Sequence, residues 1–131
     1  MLDSIVTLHL YNVILVLVAA TVTGIWGLIL YFTKRTMNRP WRIALITTAI
    51  LGAIQGVLGV TMIALGAKPG TGTGLYYLHY VYGAIVAFAI PVALTYTTSG
   101  KNPRRDMLIF SIAALILAAA GVRAWITGPV H

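Results

Sequence analysis

The sequence contains no cysteine and only two carboxylates, Asp3 and Asp106. Without a thiol, the chain cannot form a disulfide, hold an iron–sulfur cluster or bind a metal through thiolate. Both carboxylates lie near the ends of apolar segments, so neither is expected in mid-membrane, where a buried acid could couple protons to transport or act as a general acid. These absences argue against a proton-coupled antiporter. The remaining residues offer no nucleophile–base–acid arrangement, phosphate-binding loop or charged metal cage.

Charged residues of any kind are scarce. They make up 8% of the 131 residues, whereas hydrophobic residues make up 60%. Four apolar segments, at about 5–32, 41–66, 75–97 and 107–127, each reach the roughly 20 helical residues needed to cross a hydrocarbon core. Because they show no period-two alternation, we expect helices rather than the strands of a barrel. The sequence therefore predicts an all-α integral membrane protein, with residues 1–131 as one transmembrane domain in the lipid bilayer.

The connections between these segments are short and rich in helix-ending residues. Pro40, the Pro69-Gly70 pair and Pro103 fall where helices must end. Connections of this length enforce contact between successive helices, so we predict an up-down-up-down four-helix bundle. The N-terminal residues 1–4 carry no positive side chain, and we expect the first span to be retained rather than cleaved as a signal peptide.

The net charge of +7 comes mainly from two connections. The first carries Lys34, Arg35, Arg39 and Arg42, and the third carries Lys101, Arg104 and Arg105, against Lys68 alone in the second. Topology explains this distribution without nucleic acid, because basic loops stay on the cytoplasmic side. Both termini are therefore expected on the outer side. We expect the membrane to be a prokaryotic plasma membrane.

Aromatic and small residues recur at positions that suit a membrane bundle. Six aromatic residues lie near predicted span ends, where most of them are expected to be interfacial anchors: Trp41, Tyr76, Tyr77, Tyr80, Tyr96 and Trp125. Glycines recur at helical spacing: Gly24, Gly27, Gly52, Gly56, Gly59 and Gly83. Such glycines either let helices pack closely or clear room for a flat ligand inside the bundle, and both uses can coexist.

Two histidines are the strongest candidates for chemistry, because ionisable side chains inside a membrane are costly. His9 is expected about 9 Å and His79 about 7 Å below the outer ends of their helices, which puts both at one level. The first and third helices are diagonal partners, about 14 Å apart if neighbours are 8 to 10 Å apart. That gap can hold two inward imidazoles with a heme iron between them. Alternatively, each histidine hydrogen-bonds a neighbouring helix or reaches the headgroups.

Other residues at or below this level are secondary candidates. Gly83, one turn below His79, would leave room for a porphyrin edge. Arg123 would pair with a heme propionate or extend to the outer interface. The amide of Gln55 bridges helices or contacts a cofactor edge or quinone-like ring, and Met62 is an alternative axial ligand or ordinary membrane filler.

The order of these features resembles one four-helix half of the heme A synthase family. In such a half, a histidine helix is followed by a glutamine-x-x-leucine-glycine helix, a short outer loop and a second histidine helix. The corresponding residues here are His9, then Gln55 through Gly59 within the run Gln-Gly-Val-Leu-Gly, then His79. The resemblance covers the first three spans, and it implies one heme b near the outer face, ligated by His9 and His79.

Synthase activity does not follow as directly from the resemblance. Members of the family use two halves, an acidic residue near the catalytic heme and often a cysteine pair, whereas this chain is one half with neither glutamate nor cysteine. A homodimer would rebuild two halves. We therefore predict a heme b protein that transfers electrons or handles heme within a dimer or a larger redox complex. The alternatives are a cofactor-free accessory or assembly subunit and a small permease or channel.

Overall fold

The computed structural model describes residues 2–66, 77–98 and 100–127. Within these ranges the protein is all-helical and contains no strand. The helices are α1 (Leu2–Phe32), α2 (Arg39–Ala64), α3 (Tyr77–Leu94) and α4 (Pro103–Thr127). Each is long and apolar enough to cross a membrane. The prediction of four helices that are long and apolar enough to span a membrane is therefore confirmed.

The first connection begins with a helix-ending motif that uses lysine in place of the usual glycine. Lys34 adopts a left-handed conformation, with φ of 60°. The backbone N–H of Arg35 donates to Leu30 O at 2.8 Å, and that of Lys34 donates to Tyr31 O at 3.1 Å. These two bonds satisfy carbonyls in the last turn of α1 in a Schellman arrangement. Helix α1 therefore ends at Phe32, where the sequence predicted its end.

The second helix begins two residues before its predicted start. Asn38 caps it, with its side-chain oxygen accepting the backbone N–H of Trp41 at 2.8 Å. Pro40 occupies the first turn, where its missing N–H leaves no helical bond unmade. Pro40 therefore starts α2 as well as ending the connection before it.

The third connection lies earlier in the chain than predicted. α3 ends at Leu94 rather than 97, and α4 starts at Pro103 rather than 107. Asn102 accepts the backbone N–H of Arg105 at 3.1 Å, which caps the early start. The predicted start of the third helix at residue 75, together with Lys68, the Pro69-Gly70 pair and Tyr76, lies outside the described residues.

Asp106 closes this connection and has no mid-membrane role. Its carboxylate accepts the backbone N–H of Thr98 at 2.8 Å, the Thr98 hydroxyl at 3.0 Å and the backbone N–H of Gly100 at 3.2 Å. Gly100 has a φ of 86°, a conformation that glycine adopts without strain. The carboxylate thus stabilises the turn between α3 and α4.

Each helix packs on its neighbours in chain order, and α1 also packs on α4. Among the described residues α1 and α3 do not approach directly, as expected of diagonal helices, and the α2–α3 interface is the sparsest of the four. The core centres on Val16, Met107 and Leu117, which are almost completely buried. Large apolar side chains cover the outward faces of all four helices, which is typical of surfaces in contact with lipid.

Trp41 departs from its predicted role. It is completely buried, and its indole N–H donates to Thr23 O at 3.0 Å; it is therefore a core residue and no interfacial anchor. Gly27 makes the room, because a Cβ there would lie 2.9 Å from the Trp41 indole nitrogen and would overlap Ser111 Oγ. A buried Thr23–Thr48 hydroxyl contact of 3.2 Å continues the α1–α2 interface.

Candidate functional site

A cavity of about 770 Å³ lies between α2 and α3 and reaches α1 and α4 at one end. Its volume falls in the range of small-molecule and cofactor sites. From His79 to Pro91 its lining follows about 18 Å of helix rise. Most lining residues are apolar, and those that the structure describes include no Asp, Glu, Lys or Arg. The polar groups cluster towards one end, where His9, Gln55 and His79 meet.

The two histidines face each other across this end of the cavity. Their ring centroids are 6.2 Å apart, with an angle of 68° between the ring planes. His9 projects from α1 with 8% of its surface exposed, and His79 projects from α3 and is half-buried. Their helices are diagonal, so the side chains span a gap that the backbones leave open.

His79 is held through one ring nitrogen. Its Nδ1 lies 2.7 Å from the backbone carbonyl oxygen of Ala124 in α4. Because a carbonyl only accepts, Nδ1 must carry the hydrogen in this bond. In the neutral ring, Nε2 therefore keeps its lone pair, and the orientation of the imidazole is fixed by α4.

A buried polar network fixes His9 from the other side. The Asn12 amide nitrogen donates to Leu51 O at 3.1 Å and to Gln55 Oε1 at 2.8 Å. With Gln55 Oε1 accepting, the Gln55 amide nitrogen faces His9, contacting the His9 carbonyl oxygen at 3.0 Å and its Nε2 at 3.3 Å. Since the amide nitrogen only donates, His9 Nε2 is the acceptor and the neutral ring carries its hydrogen on Nδ1.

This network leaves one group unsatisfied. His9 Nδ1 is buried and has no hydrogen-bond partner among the described residues. A buried polar group without a partner costs roughly 1–3 kcal/mol. His9 is therefore oriented less firmly than His79, whose Nδ1 is bonded.

The glycines divide between the two uses that the sequence left open. A Cβ at Gly52 would lie 2.7 Å from Val86 O, and a Cβ at Gly56 would lie 2.9 Å from the Ala87 Cβ, so these two bring α2 against α3. At Gly59, however, the nearest described atom to such a Cβ is His9 Cε1 at 3.6 Å, and at Gly83 no described atom lies within 4 Å. Close packing therefore gives way to open space on approaching the histidines.

The remaining predicted residues, Gln55, Met62 and Arg123, differ in whether they line the cavity. Gln55 is 7% exposed and bridges α1 and α2, as the helix-bridging interpretation expected, while also lining the cavity. Met62 lines the cavity as well. Arg123 is exposed and is not among the lining residues; its guanidinium lies 5.5 Å from the centre of the Tyr82 ring.

Sequence reasoning assigned no role to two groups that hold the histidines, although Asn12 was recognised as a polar residue beside His9 inside the first span. Asn12 follows His9 by three residues, and that spacing puts both on one helix face, so the signal was present. The carbonyl of Ala124 gives no signal, because any residue supplies a backbone oxygen. Within the described part of the chain no three His, Asp or Glu side chains converge in a way that could hold a metal ion.

No protein-family model, curated protein or solved structure matches this chain. The function is therefore inferred from the geometry of the histidine pair and its cavity.

Proposed function

We propose that this chain is a heme b-binding integral membrane protein in which His9 and His79 are the axial ligands of one iron. The observation that carries the proposal is the facing pair of imidazoles, 6.2 Å apart between ring centroids, at the end of a large apolar cavity. The heme would supply a one-electron couple, and the chain's own residues bind, orient and shield it.

The separation of the rings suits a shared metal. A histidine nitrogen binds a first-row metal at about 2 Å and lies about 1 Å from the centre of its own ring, so two imidazoles on opposite sides of one metal place their centroids about 6 Å apart. The value of 6.2 Å meets this requirement for the separation of the rings. Because edge-to-face ring pairs also lie about 4.5–7 Å apart, the proposal rests on the tautomers and the cavity as well as on this distance.

Both rings also favour the tautomer that ligation requires. The bond from His79 Nδ1 to the Ala124 carbonyl and the bond from the Gln55 amide to His9 Nε2 leave a lone pair on each Nε2. A metal-binding histidine commonly donates its other N–H to a carbonyl in this way. His9 would exchange its 3.3 Å contact with Gln55 for a bond to iron.

The cavity favours a macrocycle over a bare ion. Only two ligating side chains converge in the described part of the site, so four equatorial positions must come from the bound group itself. The space at Gly83, where no described atom lies within 4 Å of an added Cβ, is one helical turn from His79, where a flat molecule would extend. Apolar walls would exclude water from it.

We further propose an up-down-up-down bundle with both termini on the outer side and the heme near the outer face. Side-chain pairs support this arrangement: Asn12 bonds Gln55, whereas the later Thr23 contacts the earlier Thr48. The basic connections would then be cytoplasmic. A prokaryotic plasma membrane is the proposed location.

Electron transfer or heme handling is the proposed use of the site, within a homodimer or a larger redox complex. The resemblance to one half of the heme A synthase family adds to this proposal. Arg123 would reach a propionate by leaving the Tyr82 ring, and Met62 would be the alternative ligand to either histidine. Heme-methyl oxidation would need an acid that the chain lacks.

A cofactor-free accessory or assembly subunit is the second candidate. It is favoured by the Asn12–Gln55–His9 network, which joins α1 to α2 without any ligand. In that case the histidines would be part of a polar bridge between helices.

A dithionite-reduced minus oxidised visible spectrum of the detergent-purified protein distinguishes the two. The heme proposal predicts a sharp b-type band in the parent that is lost or altered in His79→Ala. Leu8→Ala is the matched control, because Leu8 precedes His9 but is 57% exposed on the outward face, and its spectrum should equal the parent's. A parent that stays colourless after heme supplementation would support the accessory-subunit function.

A further inference from the structure

We infer that the two histidines are unequal ligands: His79 is the permanent one and His9 the exchangeable one, so the position opposite His79 accepts a small uncharged ligand. The inference rests on the proposed heme site. It assigns to that site a function that bis-histidine ligation alone does not imply, namely reversible binding of a diatomic molecule such as carbon monoxide.

The hydrogen bonds of the two rings differ in the way that matters for ligand strength. His79 donates Nδ1–H to the Ala124 carbonyl at 2.7 Å, which fixes the ring and raises the basicity of the opposite nitrogen. His9 Nδ1 is buried without a partner among the described residues, so its ring gains no basicity from a bond at that nitrogen and would lose its 3.3 Å contact with Gln55 on binding iron. The bond from His79 to iron should therefore be the stronger of the two.

A hydrogen-bond donor would stabilise the His9 ring in the state in which it is not bound to iron. The Gln55 amide nitrogen lies 3.3 Å from His9 Nε2 and donates to the same lone pair that would bind the metal. Asn12 holds that amide in place through Gln55 Oε1 at 2.8 Å. The dissociated imidazole is thus stabilised by a ready hydrogen bond, whereas His79 has no comparable donor among the described residues.

The surroundings of His9 select the kind of ligand that replaces it. At Gly59 an added Cβ would meet His9 Cε1 at a van der Waals distance of 3.6 Å and no other described atom within 4 Å, so a small group fits beside the ring. Among the described residues the cavity lining has no Asp, Glu, Lys or Arg, so an anion would find no cationic partner there and would enter at high cost. A small neutral molecule fits the space beside the His9 ring and needs no charged partner.

Carbon monoxide titration of the dithionite-reduced protein tests this inference in the parent, His9→Ala, His79→Ala and the Leu8→Ala control. We expect the reduced parent to bind carbon monoxide. His9→Ala should keep its heme and bind carbon monoxide more tightly than the parent. His79→Ala should lose heme affinity by about tenfold or more relative to His9→Ala, the scale on which supporting hydrogen bonds act at metal sites.

Gln55→Leu provides an independent test, because it removes the competing donor but leaves both histidines. Carbon monoxide affinity should fall, by up to about tenfold for the loss of one neutral hydrogen bond. In His9→Gly, added imidazole should restore the parent spectrum.

The outcomes separate this inference from the heme proposal. A parent that binds no heme refutes the proposed function. A parent that shows the b-type band but does not bind carbon monoxide at saturation, or a pair of alanine variants that lose heme equally, overturns the inference and leaves the heme site standing.

Discussion

Glycine has opposite roles at the two ends of the bundle. At one end, which we call the closed half, the Trp41 indole and the Ser111 hydroxyl lie so close to Gly27 that a Cβ there would clash with them. At the other end, which we call the open half and which contains His9, His79 and Gly83, no described atom lies within 4 Å of a Cβ placed at Gly83. A glycine in a membrane helix is therefore interpretable only with its neighbours: it marks either close packing or room for a ligand.

Replacing one glycine by leucine in each half should give the largest effects, and it tests whether the two glycines differ in role. Gly27→Leu should lower the free energy of unfolding by about 3 kcal/mol, because its side chain would overlap Ser111 and Trp41. Gly83→Leu should leave stability nearly unchanged and instead lower heme content, because its side chain enters the cavity. Thermal unfolding in detergent and the heme-to-protein ratio measure the two effects. Equal destabilisation with unchanged heme content would contradict the division into halves.

The polar network of the open half should give the next largest effect. Asn12→Leu leaves the buried Gln55 Oε1 without its donor and should lower the free energy of unfolding by about 1–3 kcal/mol. Thr7→Val is its control, since Thr7 is exposed and bonds only the carbonyl of Asp3 in its own helix. If both variants unfold at the parent temperature, the network is not holding α1 to α2.

In the closed half, the indole bond of Trp41 can be removed while most of the packing is kept. Trp41→Phe loses the donor to Thr23 O and part of the ring, so we expect a loss of about 1–3 kcal/mol with heme content unchanged. Loss of heme in this variant would mean that the two halves are coupled, which the comparison denies.

The smallest effect is expected at the end of α1, remote from both sites. Lys34 holds a φ of 60° that glycine adopts more easily, so Lys34→Gly should raise the free energy of unfolding by up to about 1 kcal/mol. Lys34→Ala is the control and should not stabilise. A rise in both variants would point to the lost charge as the cause.

The sequence predicted the parts of this structure that depend on long apolar runs and on punctuation. Helix ends such as Phe32 followed directly, and the matching depth of His9 and His79 followed from counting residues along their helices. Trp41 was misjudged because position near a span end is the same for an anchor and for a core residue. Only the space left by Gly27 on a different helix distinguishes them.

The support around the histidines was less accessible to such reasoning. Asn12 could have been assigned from its spacing to His9, but the Ala124 carbonyl is a backbone group and depends on how α4 is rotated against α3. The early start of α4 at Pro103 reflects Asn102, whose side chain favours a cap as much as a turn. Rotation and capping are settled by contacts between helices, which a single sequence does not reveal.

Magnetic circular dichroism of the oxidised, heme-loaded protein in the near infrared tests axial ligation by His9 and His79, because that signal depends on the ligand pair. We expect a bis-imidazole signature in the parent that is absent from both His9→Ala and His79→Ala and retained in Leu8→Ala. A signature of imidazole with thioether, abolished by Met62→Leu and retained in one histidine variant, would contradict ligation by both histidines.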